Sequence, residues 1–107
     1  MSDTFERIKR LVAAGSVRIS EHGYDELMAD DIQSRDIIEG IGNGRVVEAY
    51  PDYPKGASVL VLQMDRNRNP IHIVWGLPKG GSEPAVVVTA YRPDSERWYD
   101  DFMRRRT

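Results

Sequence analysis

The chain has 107 residues and a formal net charge of −2 at pH 7; 40% hydrophobic and 30% charged residues predict one core-forming domain, 1–107, rather than a disordered tail. It contains no cysteine, which excludes disulfide frameworks, thiolate metal sites and cysteine nucleophiles. A charged opening segment and the lack of any apolar run near the ~20 residues of a membrane span predict a cytoplasmic protein with no membrane partner.

Phe5, Ile8, Leu11 and Val12 recur at helical spacing after three competent N-caps, Ser2, Asp3 and Thr4, and Gly15 supplies the stop. Val17-Arg18-Ile19 alternates and predicts a short strand. Ser20 caps a second helix with Tyr24, Leu27 and Met28 on one face. Ser34 caps a third, with Ile37, Ile38 and Ile41 inward, and Gly42-Asn43-Gly44 ends it.

After Gly44 the period changes to two. Residues 46–50, 58–64, 70–77 and 84–91 are β-branched or aliphatic runs, and the connections between them are too short for crossover helices. They predict a four-stranded antiparallel meander with the helices on one face, an α+β fold. Pro93 breaks the last strand and Asp94 caps a short C-terminal helix. Trp98 and Phe102 should face inward from it, and Arg104-Arg105-Arg106 should sit at its dipole-favoured end.

Pro54-Lys55-Gly56-Ala57-Ser58 is echoed by Pro78-Lys79-Gly80-Gly81-Ser82, in loops that a meander brings to the same end of the sheet. Two similar turns explain the echo, and so does a pair of lysines held for a phosphate. The glycine spacing and the strand-to-helix context of a Walker loop are both missing.

Chemistry converges on His72. If the last hairpin closes with 77 opposite 84, His72 faces Thr89, and Tyr91 follows on the same face. Arg66 and Arg68, in the preceding loop, and Arg92 belong to that same end. A histidine, a tyrosine and several arginines could run metal-free RNA cleavage, with one group activating the 2′-hydroxyl and arginines holding the phosphorane. The competing assignment is a histidine hydrogen-bonded on a half-buried sheet face. His22 opens the second helix, as a catalytic group or as a plain polar residue. The two histidines lack ligand spacing, so neither metal nor cofactor is expected. Arg104 is a candidate phosphate contact or a solvated helix end. Residues 1–50 carry ten acids and six bases, and 51–107 carry seven acids and nine bases, so a polyanion should meet the second half.

Ser20-Glu21-His22, Gly44-Arg45-Val46-Val47-Glu48-Ala49-Tyr50, Pro70-Ile71-His72-Ile73-Val74 and Thr89-Ala90-Tyr91-Arg92-Pro93-Asp94 followed by Trp98 resemble the uncharacterised bacterial family numbered 4258 among the domains of unknown function. The resemblance covers roughly residues 17–106. That family is in turn similar to RelE- and ParE-type toxins, whose fold packs two helices on a twisted antiparallel sheet. The resemblance therefore implies a RelE-like toxin-antitoxin protein, with His22, His72, Tyr91 and Arg92 at recurring family positions. One departure stands out: Glu26 and Asp30 occupy a segment where relatives often carry arginine, which weakens a phosphate grip there. Two classes follow. One is a metal-independent endoribonuclease acting on RNA or the ribosome, with His72, His22, Tyr91 and Arg92 catalytic and Arg66, Arg68, Thr89 and Arg104 on the substrate. The other is a non-catalytic module binding a cognate antitoxin or another protein.

Overall fold

A computed structural model describes residues 3–106, so Ser2, one of the three candidate caps, lies outside the described residues. The first helical pattern forms α1 (Asp3–Ala13), which buries Phe5, Ile8 and Val12. The chain then runs through β1 (Val17–Ile19) into α2 (Glu21–Ala29). Ser20 is its cap: the hydroxyl oxygen accepts from Gly23 N–H at 2.9 Å and donates to the Val88 carbonyl at 2.9 Å. Of the trio expected on one face only Leu27 is buried, while Tyr24 and Met28 are exposed. α3 (Ser34–Gly40) begins at Ser34 with Gln33 in the cap position, and a 3₁₀ turn over Ile41–Asn43 follows. Ile37 and Ile41 enter the core and Ile38 stays exposed.

The four expected strands form as β2 (Arg45–Tyr50), β3 (Ser58–Met64), β4 (Pro70–Gly76) and β5 (Ala85–Tyr91), paired antiparallel in sequence order. The sheet nevertheless has five strands, because β1 pairs parallel with the outer edge of β5, giving the order β1-β5-β4-β3-β2. A four-stranded sheet is thus corrected to five. β1 cannot satisfy its backbone groups alone, and β5 offers it an open edge.

Strand alternation gives the sheet two faces of different character. Val59, Val61, Ile71, Ile73, Trp75 and Val87 meet Phe5, Ile8, Val12, Leu27 and Ile37 in the main core. Gln63 is buried there without cost, since its amide donates to the Ile37 carbonyl at 2.8 Å and accepts from the Trp75 indole at 2.9 Å. The opposite face carries cross-strand rows such as Glu48-Leu60-Val74-Thr89 and Leu62-His72-Tyr91.

The expected C-terminal helix is absent. After Pro93 the chain makes one turn, Trp98 N–H to Asp94 O at 3.0 Å, and then doubles back. Tyr99 N–H bonds Arg104 O at 2.9 Å and Arg106 N–H bonds Arg97 O at 2.8 Å, around a Phe102 with φ of 57°. A helix of so few residues is marginal without packing along its whole face. Here the packing goes elsewhere. Trp98 is 3% exposed against the helix-free face of the sheet, whereas Phe102 is only half-buried and Arg104–Arg106 stay exposed as expected.

Candidate functional site, a cleft on the helix-free face

The C-terminal segment covers one end of the second sheet face and leaves the other end open. The open part is a cleft of about 790 Å³. Its floor is sheet: Ser58, Val74, Gly76, Val86 and Thr89. One wall is the β1–α2 junction, with Arg18, Ser20 and His22, and the other comes from the β2–β3 and β4–β5 loops, with Tyr53, Lys55 and Lys79. Arg18 is the out-of-phase residue of β1, so the parallel docking of that strand is what brings its side chain to the cleft.

The two echoed loops are locked to each other. Gly56 has φ of 127°, and a Cβ there would stand 1.9 Å from the Leu77 carbonyl oxygen. Leu77 N–H bonds the Ala57 carbonyl at 3.0 Å. Close backbone approach, possible only for glycine at this φ, thus holds Lys55 and Lys79 at the same rim.

The charge of the cleft is one-sided. Arg18, Lys55 and Lys79 line it, no aspartate or glutamate does, and none of the three cations is in an ion pair among the described residues. In a chain with more acids than bases, this is a selective exclusion of carboxylates. His22 lies at the rim with its side chain 69% exposed and its Nε2 3.8 Å from a Glu26 carboxylate oxygen. Tyr50 closes one side, its hydroxyl donating to Glu48. Burial and then that carboxylate push the Tyr50 pKa up to about 12, so it remains a protonated phenol.

His72 is elsewhere. The expected solvent-open convergence on it is overturned, because the residue is 0% exposed and lies beneath the C-terminal segment. The hairpin closes with Gly76 opposite Val86, and a bulge before Trp75 adds a further step, so His72 faces Tyr91 and Val74 faces Thr89. Two steps preserve the face, so Tyr91 still meets the histidine. Nε2–H donates to the Phe102 carbonyl at 2.7 Å, which leaves Nδ1 to accept from the Tyr91 hydroxyl at 3.2 Å. The Trp98 ring stands edge-on at 4.4 Å. Burial lowers the His72 pKa and outweighs the opposing pull of the Phe102 carbonyl, so the ring is neutral at pH 7. Arg105 latches the segment down, with two bonds of 2.8 and 3.1 Å to Glu48 and its guanidinium over Trp98. That pairing holds the Glu48 carboxyl below its ordinary value.

Three of the four arginines expected to hold phosphate are otherwise engaged. Arg92 points to Asp65, Nη1 to Oδ2 at 2.8 Å, while its backbone N–H bonds Asp30 at 2.8 Å. Burial alone would raise the Asp65 pKa, but the N–H groups of Asn69 and Asn67 together with Arg92 bring it below the usual value. Arg66 is bound to Asp36 at 3.0 Å and to Gln33 at 3.2 Å. Arg68 occupies a left-handed turn position, φ 63°, and is exposed. Arg104 pairs with Asp101 at 3.4 Å and stacks on Tyr99. Of the sequence-derived candidates, the cleft therefore gathers His22 and Thr89, along with the lysine pair. Arg18, Ser20, Tyr50 and Tyr53 went unnoticed in the sequence as site residues; the alternation that turns Arg18 away from Val17 and Ile19 was the one available sign.

Among the described residues, no three His, Cys, Asp or Glu side chains converge in a metal-binding group, and no helix is long and apolar enough to cross a membrane. No curated protein and no solved structure matches the chain. The model of one family, described as a domain of unknown function, matches residues 19–92. That span holds α2, α3, all of β2 to β5 and both histidines, and ends before the C-terminal segment. The chain belongs to the family DUF4258.

Proposed function

We propose that the protein is a small RNA-directed, toxin-like protein of RelE-like build, which takes a single-stranded phosphodiester backbone into the cleft and cleaves it without a metal. The observation that carries this reading is the cleft's one-sided charge: Arg18, Lys55 and Lys79 with no carboxylate on the walls. Fixed cations in a groove track a phosphate backbone, and Tyr53, half exposed at the rim, offers a surface on which a base can stack. His22 is the proton-transfer group: it takes the 2′-hydroxyl proton as the 2′-oxygen bonds to phosphorus, the P–O5′ bond breaks, and water protonates the leaving oxygen. The three cations stabilise the charge that grows on the phosphorane. His72, Tyr91 and Arg92 shape the scaffold in this scheme.

A second reading is a non-catalytic module of the same build, and the burial of His72 favours it, since it withdraws the histidine of the conventional acid–base pair from solvent and leaves only the half-buried Tyr91. One experiment serves both. Labelled single-stranded RNA is incubated in EDTA with the protein and with His22→Ala and Lys55→Ala/Lys79→Ala variants, following binding by anisotropy and cleavage on gels. Cleavage lost in His22→Ala with binding kept supports the nuclease. Binding without cleavage leaves the module, and the absence of both ends the RNA reading.

A further inference from the structure

α2 commits one side to the fold and leaves the other exposed. At Gly23 a Cβ would lie 2.8 Å from the Val87 carbonyl oxygen, so the helix abuts β5 backbone there, and Leu27 fills the core below. Tyr24 and Met28, one turn apart on the outer side, are 56% and 66% exposed. They border a groove of about 590 Å³ between α2 and the start of α3, walled also by Leu27, Ile32 and Gln33. Single exposed apolar residues are ordinary, but a large pair beside a groove marks a contact surface. Methionine is adaptable at such surfaces.

The charge along α2 and the turn after it is acidic, opposite in sign to that of the cleft. Residues 19–34 contain five carboxylates and no lysine or arginine. Asp30 is taken by the Arg92 N–H and Glu26 faces His22. Glu21, Asp25 and Asp31 are exposed and in no ion pair among the described residues. Glu21 precedes Tyr24 by one helical turn, Asp25 adjoins it, and Asp31, in the turn after α2, lines the groove beside Met28, so negative charge borders the apolar pair. Arg35, on the groove wall, is the cation that bounds the acidic stretch.

We propose that this face docks a basic amphipathic helix of a partner protein. Apolar side chains of that helix pack on Tyr24 and Met28 and into the groove, and its flanking lysines or arginines meet Glu21, Asp25 and Asp31. At 1.5 Å per residue α2 from Glu21 to Ala29 is about 12 Å long, matching roughly two turns of a helix. The same carboxylates repel an anionic lipid surface or a nucleic acid. Two-fold pairing with a second copy would set this acidic face against itself. The inference is independent of what the cleft binds.

The test titrates the isotope-labelled full chain with a synthetic helical peptide bearing leucine along one face and lysine on its flanks, and with a counterpart in which glutamate replaces lysine. The basic peptide should shift amide resonances over residues 21–35. Met28→Ser, and separately Asp25→Lys/Asp31→Lys, should each weaken it at least tenfold, and the glutamate peptide should not bind. Both variants alter exposed positions, and unchanged amide spectra elsewhere report that they fold. Shifts confined to the cleft, affinity indifferent to both variants, or concentration-dependent self-association abolished by Met28→Ser would each overturn the proposal.

Discussion

The Nε2 of His72 lies 2.7 Å from the carbonyl oxygen of Phe102, 30 residues further along the chain. A strand of the sheet thereby holds down the C-terminal segment with a side chain instead of a backbone ladder. The same nitrogen would have to be free for His72 to act on a substrate, so the bond both fixes the segment and closes that site.

The first prediction concerns pH. Burial lowers the His72 pKa in the folded protein, so the unfolded chain binds the extra proton more readily. Stability from the neutral histidine is complete above the unfolded value, about 6.5, and is lost as pH falls from there toward the folded value. The Glu48 carboxyl, lowered by Arg105, contributes at pH above its unfolded value and loses that contribution at still lower pH. Melting temperature should therefore decline as pH drops below about 6.5, and His72→Gln should flatten that first part of the decline. A melting temperature constant from pH 8 to 5 would contradict the assignment.

Trp98→Ala should cost about 3–5 kcal/mol, as for a large buried aromatic. It also removes the surface on which Arg105 rests and the edge contact to His72. Denaturant unfolding measures this, and a loss below about 1 kcal/mol would place Trp98 at the surface.

Arg92→Ala should destabilise by about 1–3 kcal/mol, because Asp65, whose side chain is 5% exposed, loses its cation and keeps its burial. Its effect on RNA binding should be slight, since the guanidinium faces Asp65 and not the cleft. Equal loss of stability and unchanged RNA affinity in the same preparation is the expected pair of results.

Much of the fold was legible because it rests on local signals. The ends of β3 fall at Ser58 and Met64 as the turn residues indicate, and short connections forced the meander. The C-terminal helix failed although its signals were real: Asp94, the Trp98–Phe102 spacing and the terminal arginines all satisfy helix rules. Tertiary contacts overrode them, with Trp98 on the sheet and the Phe102 carbonyl taken by His72. The pairing of β1 with β5 was invisible because it joins Val17 to Ala85 across most of the chain. The site followed the same division. The lysine echo placed Lys55 and Lys79 correctly at one end, and loop register could be argued from sequence. Arg18 reaches the cleft only through the hidden pairing, and the hairpin closure and the extra residue in β5 that together set His72 opposite Tyr91 have no sequence mark.

Gly56→Ala probes the locking of the two loops. A Cβ meets the Leu77 carbonyl and φ is unfavourable, so the variant should lose about 1–3 kcal/mol. If the lysine pair depends on that lock, RNA affinity should fall as well, even at temperatures where the variant is fully folded.

The salt dependence of RNA binding in EDTA tests the central claim most directly. Three cations neutralising about three phosphates of a single strand predict a slope of log K against log salt near −2, at ~0.7 per phosphate. Lys55→Ala/Lys79→Ala should reduce that slope to below about −1 in magnitude and weaken binding, while charge changes at Arg66 or Arg104 leave it alone. A slope and affinity unchanged by removing both lysines, or no RNA binding at low salt, would contradict the account.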